Sequence, residues 1–118
     1  MASPAEVDHF LDDFKKAVNK DQWLFVRRKK NLDDLSRLGI SIKSVKTILL
    51  NLTTADYIAG PEQDRDGTEG EIWKFGKDHD CGELYIKLKL EGSRAKVISF
   101  HRAEHRLQTS TDAEGDES

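Results

Sequence analysis

The sequence predicts an α+β domain, with N-terminal helices packed on a mostly antiparallel β-sheet. Two observations carry this prediction. Apolar residues recur at helical spacing through the first half of the chain, and from residue 71 onward the period becomes strand-like. The candidate strands are also joined by segments short enough for hairpins, so helices come first and a meander follows.

The first helix starts at Ser3, a good N-cap, with Pro4 at N1 and Glu6 at N3 completing a capping box. Val7, Phe10, Leu11, Phe14 and Val18 then form one apolar stripe. "QWLFVRR" reads as a short strand. "NLDDLSRLG" reads as a short helix capped by Asn31, packed through Leu32, Leu35 and Leu38, and ended by Gly39. Ser41 caps the next helix, whose Ile42, Val45, Ile48, Leu49 and Leu52 face the core, and "TTADYI" adds one more helical turn. The stretch "AGPEQDRDGTEG", residues 59–70, reads as a long loop because Gly, Pro and acids dominate it. "EIWKFG", "ELYIKLKL" and "KVISFHR" read as three strands.

Strand alternation sorts the side chains into faces. Leu84, Ile86, Leu88 and Leu90 face the core, as do Trp73, Phe75, Ile98 and Phe100. Tyr85, Lys87, Lys89, Val97, Ser99 and His101 point away, with Ile72 and Lys74. If the strands are neighbours, Lys74, Tyr85, Lys87 and His101 share one face, an assignment that a single bulge would break. Arg102 alternates with His101 and reaches that face only if the strand ends there.

The whole chain sets limits on these readings. Its 118 residues suit one domain over residues 1–106, with an acidic, disordered tail at 107–118. No apolar run is long enough to span a membrane, and "MASPAEVDHF" lacks a secretory pattern, so a cytoplasmic protein is expected. The single cysteine, Cys81, fits a reducing compartment and reads as a turn residue. The net charge is −3, but the last ten residues carry four acids and no cation; without those acids, 19 basic and 18 acidic residues remain, a body of +1. Such a body permits polyanion binding without establishing it.

The polar face suits one reaction in particular. RNA can be cut by its own 2′-hydroxyl, which needs a base, an acid and cations around the phosphorane. Histidine fills either proton role near neutral pH. Tyr85 serves as base or acid if lysines depress its pKa, and otherwise positions the phosphate. Lys74, Lys87 and Arg102 would bind phosphate charge. A metal site is less convincing: His101 and His105 have an H-x-x-x-H spacing, but His101 reads as strand, and "DHD" at 78–80 reads as a hairpin turn.

The ordered motifs "ADYIAGP", "GEIWKFGK", "GELYIKLKL" and "KVISFHRAE" resemble the MqsR family of bacterial type II toxins, over about Phe10 to Glu104. The resemblance implies a RelE-like fold and a metal-independent mRNA endoribonuclease that needs no cofactor and is held inactive by a cognate antitoxin, which links it to DNA only indirectly. It puts the family tyrosine at Tyr85 and the strand lysine at Lys87. Lys74 stands where the family has Gln, and His101 where it has a basic residue that is Lys in the best-known member. An upstream family lysine has no match near Ile58 and Ala59. The expected catalytic set is thus Tyr85, His101 and Lys87, with Lys74, Arg102 and Lys89 binding substrate. Two other readings stay open: a non-catalytic module binding nucleic acid or protein, and a RelE-like toxin acting on a protein such as gyrase.

Overall fold

The computed structural model describes residues 2–27, 29–65, 67, 69–79 and 82–103. The expectations for Asp80, Cys81, His105 and the tail at 107–118 lie outside the described residues. Three helices, α1 (Pro4–Asn19), α2 (Lys29–Leu38) and α3 (Ile42–Leu50), accompany five strands: β1 (Trp23–Phe25), β2 (Tyr57–Gln63), β3 (Glu71–His79), β4 (Gly82–Glu91) and β5 (Arg94–Arg102). The strands form one sheet in the order β1-β5-β4-β3-β2. Only the β1–β5 pairing is parallel; the rest are antiparallel. This is the α+β architecture that the change of period predicts. No helix among the described residues is long and apolar enough to cross a membrane.

The capping box at α1 forms as expected: Glu6 N donates to Ser3 Oγ, and Ser3 N donates to Glu6 Oε1. All five stripe residues of α1 are buried. Phe10 stacks on Trp73 at 4.6 Å between ring centroids, which docks α1 on β3. Ser41 caps α3 through Ser44 N. "TTADYI" contributes a single 3₁₀ turn, Thr54–Asp56.

Expectations for three regions are corrected. Asn31 is not a cap: α2 begins at Lys29, and Asn31 is buried inside it, 2% exposed. Its amide donates to Val26 O (2.9 Å) and Ile98 O (3.0 Å) and accepts from Phe100 N (3.2 Å). Asp34, one turn on, accepts from Arg102 N at 3.0 Å. β1 pairs with β5 only as far as Val97, so these two side chains carry on the ladder along β5. Leu32 and Ile42 are exposed rather than packed.

The second correction concerns the expected loop at 59–70, whose first half is strand β2. Its register slips between Tyr57 and Ala59 and again between Ala59 and Glu62, across Gly60 and Pro61, which an edge strand tolerates. A Cβ at Gly60 (φ 116°) would lie 2.7 Å from Ile72 O, so glycine alone fits there.

The third correction is in β5. Lys87 pairs with Ser99 but Leu88 pairs with Val97, so Ile98 is the extra residue of a β-bulge. Val97 therefore joins the core, fully buried, instead of pointing away. Ile98, expected in the core, lines a groove on the opposite face.

Candidate functional site

The face of the sheet away from the core carries the ionisable residues that the alternation singles out. Register places them in rows across three strands. Lys74 pairs with Lys87, which pairs with Ser99, while Tyr85 pairs with His101 one step along. The Tyr85 and His101 rings lie 5.3 Å apart, centroid to centroid, tilted by 43°. Lys87 Nζ sits 5.9 Å from the Tyr85 ring centroid, within cation–π range. Gly76 stands opposite Tyr85 on the β3 side and leaves the tyrosine's flank without a side chain.

The electrostatics decide which protonation states this cluster offers. Burial pushes the Tyr85 phenol above its ordinary pKa; Lys74 opposes this and Glu62 reinforces it. Lys74 thus does not win, and the phenol stays neutral near pH 7, as an ordinary tyrosine is. A neutral phenol donates a proton, and the phenolate that a base requires is disfavoured. His101 Nδ1 lies 3.1 Å from Arg102 O. A carbonyl only accepts, so this contact is a hydrogen bond when Nδ1 carries the proton; in a neutral ring that leaves Nε2 as the basic nitrogen.

Beside the pair, a groove of ≈ 420 Å³ runs along the same face, bordered by Lys74, Lys87, Lys89 and Lys96 and by Glu62, Asp64 and Arg65 from β2 and the segment after it. Lys89 is 1% exposed and held by Asp64 at 2.5 Å and Glu91 at 3.3 Å. Burial alone would lower its pKa, but hydrogen bonds to both carboxylates raise it, so it is a charged, enclosed cation. Lys74 pairs with Glu62 at 3.0 Å and Lys96 with Glu91 at 3.2 Å. Among the described residues, no group of three or more His, Cys, Asp and Glu could hold a metal ion.

The structure brings together Lys74, Tyr85, Lys87 and His101 from the expected set. Lys89 is on their face, but enclosed. Arg102 is not brought there: it pairs with the core-facing Leu84, and its guanidinium lies beside Gly82, where an added Cβ would be 3.1 Å from Nε. Sequence reasoning missed Glu62, Asp64 and Ile98. The first two lay in a presumed loop and the third in a bulge, and neither leaves a mark in the strand period.

Three helices and a mostly antiparallel sheet, with a tyrosine–histidine pair and a lysine row on the sheet face away from the core, define an α+β protein that gathers ionisable side chains on that face. The model of one family, described as the motility quorum-sensing regulator, toxin of MqsA, matches residues 7–102. The chain belongs to this family, and is thereby a toxin of a toxin–antitoxin pair with a cognate antitoxin as its partner. No curated protein sequence matches it.

Proposed function

We propose that the chain is a metal-independent endoribonuclease that cleaves mRNA in the cytoplasm and so arrests translation and growth until its antitoxin binds it. The observation that carries this reading is the register: Tyr85 opposite His101, one step from the Lys74–Lys87–Ser99 row.

Each group has a part that follows from its surroundings. His101 Nε2 takes the proton of the 2′-hydroxyl as O2′ forms a bond to phosphorus. Tyr85, protonated near pH 7 as a tyrosine ordinarily is and held there more firmly by burial, gives its proton to O5′ as the P–O5′ bond breaks. The products are a 2′,3′-cyclic phosphate and a 5′-hydroxyl. Lys87 and Lys74 stabilise the extra negative charge of the phosphorane between the two steps. For Lys74 this means exchanging Glu62 for phosphate.

The test is cleavage of RNA by purified protein in the presence of chelator. Loss of activity in Tyr85→Phe and His101→Ala, with the fold retained, supports the reading. A non-catalytic module, or a toxin aimed at a protein such as gyrase, would leave RNA intact and be indifferent to both changes.

A further inference from the structure

The groove beside the Tyr85–His101 pair sets apolar side chains among charged ones. Val26, Ile72 and Ile98 line it among the lysines. Ile98 is 8% exposed yet stands outside the core cluster, because the bulge turns it toward the groove. Asn31 holds that bulge in place through Ile98 O and Phe100 N. The lining carries five cations, Arg65, Lys74, Lys87, Lys96 and the enclosed Lys89, against Glu62 and Asp64, and Glu91, which pairs with Lys89 and Lys96, still leaves a positive balance.

Apolar side chains set among net positive charge match a ligand with a flat apolar face and an attached anion. A nucleotide within an RNA strand has that form. We infer that this groove is a nucleobase subsite: one base next to the scissile phosphate packs on Ile72 and Ile98, beside Val26, while its phosphate meets Lys87. The inference rests on the endoribonuclease reading for the scissile phosphate, and Lys74 and Lys87 belong to both places. Gln63, Glu62 and Asp64 are also on the lining, and the two carboxylates, bound to Lys74 and Lys89, keep further lone pairs for a base edge. Carboxylates accept from exocyclic amino groups, so the subsite favours a base that carries one.

The experiment uses a short 2′-O-methyl oligonucleotide, which lacks the attacking hydroxyl, and a set of copies each with one abasic position. Binding to the full chain is measured for wild type, Ile72→Ala and Ile98→Ala. In wild type, one abasic position weakens binding roughly tenfold, the scale of losing the burial of one apolar group against aliphatic side chains. In both variants binding is already weaker, and the same abasic position adds little. With cleavable RNA, mapped 5′ ends show the variants cutting with less base discrimination at that position. A wild type indifferent to every abasic position, or folded variants that bind and discriminate like wild type, would overturn the inference. If Ile98→Ala does not fold, Ile72→Ala decides, since Ile72 is half-buried and outside the core cluster. If wild type cuts no RNA, the endoribonuclease reading fails, and the abasic scan still decides whether the groove holds a base.

Discussion

Replacing Asn31 by alanine tests how the sheet's chemical face is held in shape. The side chain is 2% exposed and makes three hydrogen bonds, to Val26 O, Ile98 O and Phe100 N. The Val26 contact is part-buried, so water can replace it. The other two groups are buried and lose their partner, at roughly 1–3 kcal/mol each. Alanine is the better helix former by about 0.5 kcal/mol, which offsets little of this. The net loss is about 1.5–5.5 kcal/mol, or a fall in Tm of about 6–22 °C at roughly 4 °C per kcal/mol for a domain of this size. Asn31→Asp keeps an acceptor for Phe100 N but turns a carboxylate toward two carbonyls, so it destabilises at least as much. Thermal unfolding by circular dichroism gives Tm, and hydrogen exchange at the Phe100 amide reports the brace locally. A fall in Tm below about 2 °C, or a Phe100 amide as protected as in wild type, would refute the reasoning.

Other predictions concern charge. Asp64→Asn removes one of the two carboxylates that hold the enclosed Lys89 and lowers stability by about 1–2 kcal/mol in chemical denaturation, less than for a deep pair because Asp64 is partly solvated. Glu91 lies below its ordinary 4.5, chiefly through its hydrogen bond to Lys96 and then Lys89, against burial. Its contribution is therefore present above pH 4.5 and lost as pH falls through the lower folded value, so Glu91→Gln flattens the acid limb of a Tm–pH curve. Tyr85 is raised, so the uncharged phenol stabilises the fold up to the unfolded value of 10.0, and this is lost as pH rises toward the folded value; ultraviolet titration of Tyr57→Phe should show a late phenolate. Glu62→Gln releases Lys74 and should tighten RNA binding several-fold at low salt with a steeper salt dependence, measured by fluorescence anisotropy.

The α+β class, the three helices and the final three strands were legible because period and capping residues are local properties. Ser3, Glu6 and Ser41 cap helices as their positions imply. Lys74, Tyr85, Lys87 and His101 were legible as a set because alternation holds on the stretches that place them. Asn31 looks like a cap by residue type, but its amide is used by β5, a partner 67 residues away that local pattern does not reveal. Ile98 and Val97 exchange faces because one extra residue in β5 shifts the parity, and a bulge has no composition of its own there. Gly60 and Pro61 disguise β2 as a loop because an edge strand tolerates both. Lys89 reads as a solvated cation until the acids of the disguised segment fold over it.

The most direct test is end-group analysis of RNA incubated with the purified chain in chelator, for wild type, Tyr85→Phe and His101→Ala. The account predicts fragments with 2′,3′-cyclic phosphate and 5′-hydroxyl ends from wild type, and cleavage slower by roughly 10²–10⁴ in each variant, the scale of one proton-transfer group. Intact RNA with wild type, or undiminished cleavage in both folded variants, would contradict it.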